Sequence, residues 1–500
     1  MTKIFSVPIT LHDHNTYDGE FHNQIERYSR VKYNVPRNKN EIDPDNYSLN
    51  EKFTKEYFKK QPGSILAFSY SGGGIKKSKD ELFNGILNDH KAILDYKPTN
   101  LFDYYLKDDI YYIDHHQSHA VYAFLSSGYD ESDALAIDGK GAKFKCIFID
   151  KNKTIFDLTE QLPLGWVWNE MSRLVGFGSL NAGKIMGLAG YGKYSDYYYN
   201  ALAIMFDSKL IDQPKEFYKV IDLKIHGIED LAFTLQQFTL DMIKEYIYPL
   251  KSCENICIAG GVAYNGYMNE EFTKHYRNVF VPPAVGDEGQ SLGVYMHADY
   301  TLNKQVNIPS VYAGKEHPLD NLPSDKEPLE LKKIAQAIAD GKIIGWYQGK
   351  SESGNRALGN RSILADPRNP NIKNIINTKI KKREDFRPFA PSVLIEHYQY
   401  YFDTNQPSPY MSRIVPVKSD KIPGVTHIDN TARIQTVDRD FNTKFYDLIN
   451  EFYEITGVPI LLNTSFNCQE PIVETPADAL KTFYNTELDI LVIDDYVIRK

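Results

Sequence analysis

The amino-acid sequence predicts an α/β protein, and two observations carry that prediction. Short apolar runs of strand length alternate with helical stretches through residues 1–312. Glycine-rich or Asp-Gly clusters recur where those runs stop. A chain of 500 residues is also too long for one ordinary core and implies two or three domains.

The elements follow in order. Gly63–Ser69 and Ala134–Asp138 read as strands. Cys146–Asp150 and Thr154–Leu158 read as a hairpin around Lys151-Asn152-Lys153, and Asn255–Gly261 as a strand running into a glycine turn. Residues 313–327 are polar, contain Pro318 and Pro323, and read as a linker. A new unit over 328–500 then begins with a helix from Pro328 to Asp340 and a strand from Lys342 to Tyr347. A later strand, Pro459–Leu462, leaves Asn463 to Asn467 at its end, a common place for ligand contacts in open sheets. No internal repeat is visible in the sequence.

Composition narrows the function. Hydrophobic content of 42% and charged content of 25% are ordinary for a globular protein. A net charge of −9 gives no general field for a nucleic-acid backbone, though a local basic groove is compatible with it. Cys146, Cys253, Cys257 and Cys468 lack zinc-finger spacing and read as reduced thiols of a cytoplasmic protein. No apolar run approaches a membrane span, and Met1–Pro8 lacks a long apolar signal region.

The chemistry starts at Asp114-His115-His116-Gln117-Ser118-His119. His115 and His119 are one helical turn apart and can face the same way, a ligand spacing for a divalent metal. Asp138 and Asp287 each end an apolar run. Two His and two Asp suit iron, manganese or zinc better than calcium. A ligating His usually needs a supporting partner, for which Asp114 or His116 is at hand. Three glycine-rich segments could hold phosphates: Ala259–Gly266, Gly183–Gly192 with Lys184, and Val285–Gly289. None matches a P-loop or a dinucleotide fingerprint, and glycines also simply mark tight turns. The second unit is arginine-rich, with Arg356 and Arg361 in one run and Lys381, Arg383 and Arg387 in the next. Guanidinium forks bind phosphate oxygens bidentately.

Taken together, these runs resemble the O-carbamoyltransferase family that decorates nodulation factors and antibiotics. The matching motifs are HHQSHA at His115, IDG at Asp138, GKIMGLAGYG at Lys184, AGGVAYN at Gly260 and GDEG at Asp287. Beyond the linker they are RALGNRSILADPR, KKREDFRPFAPS, THIDNTARIQTV and LLNTSFN. The resemblance implies an N-terminal domain over 1–312 of the actin/Hsp70/sugar-kinase type (ASKHA), and a YrdC-like α/β domain over 328–500. It implies a two-step reaction. The YrdC-like domain would bind carbamoyl phosphate, ATP would capture the carbamoyl group as carbamoyl-adenylate, and the N-terminal domain would transfer it to an alcohol. By the same resemblance His115, His119, Asp138 and Asp287 would hold the metal, Fe(II) or another divalent ion, with Mg accompanying ATP. Lys184, Gly260, Gly261 and Asn265 would line the adenylate site. Lys381, Arg383, Arg387, Arg433 and Ser465, with Arg356 and Asn467, would bind carbamoyl phosphate and ATP. His115, His119, Asp138, Lys184 and Arg383 are the expected catalytic set, and His116 stands open between base and supporting neighbour. The acceptor would be a hydroxyl-bearing sugar, antibiotic-like molecule or hydroxymethylated nucleotide. A homodimer is a further expectation.

The chain departs from the family at Ile9–Asn15, where the opening His-Asp turn survives only as an echo, and at Asn355, where proline is usual. Two rivals share parts of the pattern. One is a tRNA threonylcarbamoyl-adenosine enzyme. The other is a non-catalytic, nucleotide-switched module of the same N-terminal fold.

Overall fold

A computed structural model describes residues 3–9, 15–17, 22–24, 64–70, 110–139, 141–148, 152–158, 161–178, 181–207, 221–320 and 322–500. The expectation at residues 10–14 lies outside these.

Three sheets organise the described chain. The first uses β1 (Lys3–Ile9), β2 (Asn15–Tyr17), β3 (His22–Gln24), β4 (Ser64–Tyr70) and β5 (Ile110–Asp114) in the order β3-β2-β1-β4-β5. Strands β1, β4 and β5 run parallel, and β2 and β3 fold back antiparallel. The second uses β6 (Glu131–Asp138), β7 (Gly141–Phe148), β8 (Asn152–Asp157), β9 (Asn255–Ala259) and β10 (Asn278–Phe280) in the order β10-β9-β6-β7-β8. Its three parallel strands and two antiparallel strands stand in the same sequence of roles. The topology is therefore duplicated although the sequence is not. Two such sheets in succession are the layout of the actin/Hsp70/sugar-kinase class, so the expected α/β class is found. The hairpin is also found, with its first strand beginning five residues earlier than expected.

The third sheet has nine strands of mixed direction. They are β11 (Glu327–Pro328), β12 (Ile344–Tyr347), β13 (Arg361–Ala365), β14 (Ala390–Leu394), β15 (Arg413–Pro416), β16 (Thr431–Val437), β17 (Ile460–Ser465), β18 (Ile490–Ile493) and β19 (Tyr496–Arg499). Their order is β11-β19-β18-β12-β13-β17-β14-β16-β15. Strand β17 runs three residues past the expected Leu462, because β13 and β14 flank it and continue the ladder through Asn463 and Thr464. The stretch expected as a linker lies against this unit. The Gly314 amide donates to the Ser351 carbonyl at 3.0 Å, and His317 Nε2 meets Glu474 Oε1 at 3.2 Å.

Side-chain alternation in β6 and β9 sets up the site. Ala134, Ala136, Cys257 and Ala259 face the helices His115–Ser127 and Gln290–Asn303. Leu135, Ile137, Ile256 and Ile258 face the opposite layer, with Leu231, Leu235 and Phe238 of the helix Ile228–Tyr246. Successive residues of a strand point to opposite faces, so one face can be small and the other bulky. The small face lets the histidine helix lie close to the sheet. Cys253, Cys257 and Cys468 carry free thiols, and burial pushes the Cys257 thiol up to about 12. Among the described residues no helix is long and apolar enough to cross a membrane.

Candidate functional site

The histidine helix starts where β5 ends. Asp114 caps it, accepting from the Gln117 amide at 3.1 Å, and Gly128 closes it in the left-handed conformation. The cap places His115 and His119 in its first turns on the face against β6. Asp114 also pairs with Lys143 at 3.1 Å, so its carboxylate is committed to the cap and to that lysine.

Asp138 is the last residue of β6, and Asp287 opens a short helical turn before the helix Gln290–Asn303. The four side chains converge. His115 Nε2 lies 2.9 Å from Asp138 Oδ2 and 3.2 Å from Asp287 Oδ1. His119 Nε2 lies 3.5 and 3.3 Å from the same two oxygens. Such separations fit nitrogen and oxygen donors sharing one ion at bond lengths of about 2.0–2.2 Å. All four donor atoms fall within 4.8 Å of one another, and both histidines are buried. This is the mixed N/O set expected from the sequence.

Electrostatics fit the same picture. Burial alone would lower the His115 pKa, but the Asp287 charge and hydrogen bonds to Asp138 and Asp287 outweigh it and raise it to about 10. His119 is raised by the same two carboxylates against its burial. Asp138 and Asp287 are held below the usual range by the two imidazoles, against their own burial. His116 is pushed down to about 4 by burial and then by the His115 charge. Imidazoles whose proton affinity is raised by two facing carboxylates are well placed to exchange protons for a cation.

The glycine run supports this cluster. Gly260 has φ +97°, and a Cβ there would stand 2.1 Å from the Ile137 carbonyl oxygen. The Gly261 amide donates to Asp138 Oδ1 at 3.1 Å and so orients that carboxylate. Asn265 caps the next helix, accepting from the Met268 amide at 3.1 Å, and donates to Gln236 Oε1 at 2.9 Å. Gly261 and Asn265 thus act on neighbouring protein groups. Tyr264 donates to Glu288 Oε1, which also accepts from the Gly286 amide at 3.0 Å, tying the glycine turn to the Asp287 loop.

The basic residues fall into two groups. Lys381 donates to the Ser465 carbonyl, to Ser465 Oγ at 3.2 Å and to Asn467 Oδ1 at 2.6 Å, so these three predicted residues meet. Arg383, nearby in sequence, donates to Asn377 Oδ1 at 2.8 Å and lies 4.9 Å above the Phe389 ring. Burial and then the Arg387 charge press it down to about 9, as expected of cations gathered to receive an anion. The second group sits where the two halves meet. Lys184 pairs with Glu384 at 2.7 Å, and Arg387 with Glu384 at 3.6 Å. Arg433 donates to the Met411 carbonyl at 3.0 Å and the Tyr264 carbonyl at 3.3 Å. Burial and then Arg356 lower its pKa, while Arg356 lies 5.4 Å from the Tyr264 ring centroid. Gly354 has φ +92°, and a Cβ there would meet the Pro283 carbonyl oxygen at 2.2 Å. The Arg356 loop therefore rests on the backbone that leads to Asp287.

Sequence reasoning passed over the buried Glu352 and grouped the buried Arg361 with the phosphate-binding arginines. Glu352 Oε1 accepts from the amides of Leu358, Asn360 and Arg361 at 2.7, 2.9 and 3.1 Å, winding the Arg356 loop around one carboxylate. Arg361, fully buried, spends its guanidinium on the carbonyls of Gln348 and Gly349 at 2.7 and 2.9 Å and stacks 3.5 Å from the Tyr347 ring centroid, which makes it structural. Only the SES run before Gly354 hinted at a loop there.

Fold and site define a two-part α/β protein whose first part carries a His₂Asp₂ cluster on an actin/Hsp70/sugar-kinase layout. Residues 41–296 match the carbamoyltransferase N-terminus family and residues 335–500 the carbamoyltransferase C-terminus family, and the chain belongs to the carbamoyltransferase family. It is 36% identical over 438 residues to nodulation protein NolNO of Sinorhizobium fredii, covering 78% of this chain but 64% of that protein. It is 32% identical to the 3'-hydroxymethylcephem-O-carbamoyltransferase of Amycolatopsis lactamdurans over 57% of this chain and 58% of that one. Among solved structures, the activator of the 2-hydroxyisocaproyl-CoA dehydratase from Clostridium difficile aligns with 62% of this chain and 100% of its own at 10% identity and a TM-score of 0.35.

Proposed function

We propose that this chain is an ATP-dependent O-carbamoyltransferase acting in the cytoplasm on a hydroxyl-bearing small molecule, sugar or modified nucleotide. The observation that carries the reading is the convergence of two imidazoles and two carboxylates in a chain of the carbamoyltransferase family.

The chemistry needs two sites because the carbamoyl group is a poor electrophile until it carries a good leaving group. In the first step carbamoyl phosphate loses its phosphoryl group to water. The carbamoyl oxygen then takes the α-phosphorus of ATP, releasing pyrophosphate and giving carbamoyl-adenylate. We assign this step to the C-terminal, YrdC-like unit. Lys381, with Ser465 and Asn467 around its ammonium, and the buried Arg383 supply charge and hydrogen bonds to phosphate oxygens. Arg387, Arg356 and Arg433 extend the cationic wall toward the first part.

In the second step the acceptor hydroxyl attacks the carbamoyl carbon, AMP leaves, and the hydroxyl proton is lost. His115, His119, Asp138 and Asp287 would hold a divalent ion, Fe(II) by family resemblance, which when bound polarises an adenylate oxygen or acidifies the acceptor hydroxyl. Gly261 keeps Asp138 oriented, Tyr264 and Glu288 hold the loop of Asp287, and Lys184 neutralises phosphate charge from the seam. Contacts across that seam favour a sheltered passage between the sites. Asn269 bonds the Ser412 carbonyl at 2.7 Å, Tyr267 bonds Asp429 at 2.6 Å, and Arg413 meets Glu270 at 3.3 Å. Excluding water protects a hydrolysable intermediate.

The test is pyrophosphate release from ATP and carbamoyl phosphate by metal-loaded protein, followed by a screen of hydroxyl acceptors for the mass gain of one carbamoyl group. ATP consumption indifferent to carbamoyl phosphate would sink the reading.

A further inference from the structure

One carboxylate that the proposed mechanism leaves unused stands between the two halves of the chain. Glu384 Oε1 accepts from the Lys184 ammonium at 2.7 Å, and its Oε2 lies 3.6 Å from Arg387 Nη1. Lys184 belongs to the helix Ala182–Leu188 of the first part, whereas Glu384 and Arg387 belong to the KKREDFRPFAPS run of the second. Both cations are expected at phosphate oxygens. Here each faces a carboxylate oxygen of the protein itself.

The loop that carries Glu384 is held on both sides of it. The buried Asn377 side chain, in the π-helical turn Ile376–Lys381, accepts from Arg383 Nε at 2.8 Å. It donates to the carbonyls of Asp385 and Arg387 at 3.3 and 2.9 Å. Phe386 then docks the loop on the first part. A Cβ at Gly187 would meet its ring at 3.7 Å, and the Phe177 ring lies 6.2 Å away between centroids. The Lys184 ammonium lies 5.4 Å from that same Phe177 ring. Backbone and ring contacts thus bring Glu384 to Lys184. The carboxylate can leave by rotating its own side chain while the loop stays docked.

Access and charge decide what can replace it. The side chains of Lys184, Glu384 and Arg387 keep 24, 33 and 30% of their surface exposed, so a small solute reaches them from solvent. Against the burial that would raise it, the Lys184 hydrogen bond holds the Glu384 carboxyl below the usual range, so it stays an anion at neutral pH. An ion pair this exposed contributes little to stability. A phosphoryl dianion offers the same two cations more charge and three acceptor oxygens.

We propose that Glu384 is a built-in stand-in for a substrate phosphoryl group. It holds Lys184 and Arg387 while the protein is empty, and the incoming phosphoanion displaces it. The inference rests on the reading above in taking that anion to be ATP or carbamoyl phosphate. Because the carboxylate joins a cation of each half, a phosphoryl group that takes Lys184 also releases Arg387, and the reverse.

The experiment measures dissociation constants of ATP, carbamoyl phosphate and inorganic phosphate by calorimetry at low ionic strength. It compares wild type with Glu384→Gln, which keeps the size of the side chain and removes its charge, and with Glu384→Ala. The Gln variant should bind at least one of the three about 3- to 10-fold more tightly, because one or two part-exposed ion pairs no longer have to be broken. The Ala variant should move in the same direction. Added salt should shrink the gain by screening the competing charges. A residue that only braced the seam would weaken binding on removal, so the sign separates the two roles. A gain for ATP alone assigns the subsite to a nucleotide phosphate, a gain for carbamoyl phosphate alone assigns it to that substrate, and a gain for all three marks a general phosphoryl subsite. In a Lys184→Met background the Glu384→Gln gain should fall. Unchanged or weaker binding of all three ligands in both Glu384 variants, with the unfolding midpoint of wild type, overturns the proposal. So does a gain that is undiminished without Lys184. If wild type makes carbamoyl-adenylate while the variants bind no more tightly, this proposal alone falls. If wild type makes none while the Gln variant still tightens ATP, the functional reading falls and the stand-in remains.

Discussion

Divalent-metal affinity should climb steeply with pH between 6.5 and 7.5, and the slope follows from the four donors. In the metal-free cluster His115 titrates at about 10 and His119 is raised by the same carboxylates. At neutral pH His115 therefore carries a proton that it must lose before its nitrogen can bind an ion, and the raised proton affinity of His119 adds to that competition. One displaced proton is worth about 1.4 kcal/mol per pH unit. The His115 proton alone makes affinity rise about 10-fold over that single unit, and a proton displaced from His119 steepens the slope further. The sign agrees with the metal-free fold. The raised His115 pKa stabilises it fully below the ordinary 6.5, and that contribution disappears as pH rises through about 10. The assay is competition for Co(II) against a chromophoric chelator at three pH values, corrected for the chelator's own protonation. Asp287→Asn removes the largest charge raising His115 and should flatten the slope as well as weaken binding. A wild-type slope under about 0.5 log units per pH unit would mean that the imidazoles are neutral in the empty cluster, and the electrostatic account of the site would be wrong.

Lys381→Ala should cut carbamoyl phosphate-dependent pyrophosphate release by at least about 30-fold, since truncating a buried charged contact costs roughly 2–5 kcal/mol. Bound metal should stay constant, and elemental analysis checks that. Gly260→Ala should lower the urea midpoint by an amount worth more than about 2 kcal/mol, because it adds the cost of a left-handed alanine to a clash with the Ile137 carbonyl. Glu352→Ala leaves three loop amides without their acceptor. At roughly 1–3 kcal/mol each, offset where water enters, the loss should reach about 3 kcal/mol in denaturant titrations. A loss under about 1 kcal/mol would show that the loop holds itself.

The convergence of two His and two Asp was legible because ligand spacing and helical periodicity coincide at His115 and His119, and because Asp138 and Asp287 each end an apolar run. The supporting chemistry was not. Spacing did not show that the Gly261 amide, expected at the adenylate site, also orients Asp138, or that the Asn265 side chain caps a helix and meets Gln236. Those partners are set by tertiary approach and leave no trace in spacing. Glu352 was invisible for the same reason, since backbone amides assembled by folding give it meaning. The end of β17 was placed short because polar Asn463 and Thr464 look like loop residues until β13 and β14 appear on either side. The duplicated sheet order also has no sequence counterpart. Lys3–Ile9 and Glu131–Asp138 play the same role with different residues, and only their pairing shows it.

Strand β1 stands in the middle of its sheet, with β2 on one side and β4 along its whole length on the other. The Ser6 hydroxyl donates to the Ser291 carbonyl at 2.7 Å, at the start of the helix that follows Asp287. Residues Lys3–Ile9 are thus a keystone and not a trimming allowance. A chain shortened past Ile9 loses an interior rib, leaves β2 and β3 without their neighbour, and loosens the far side of the helix behind Asp287. Damage to β1 would be felt almost three hundred residues downstream, and any shortened form meant for crystallisation or binding work should keep Lys3–Ile9.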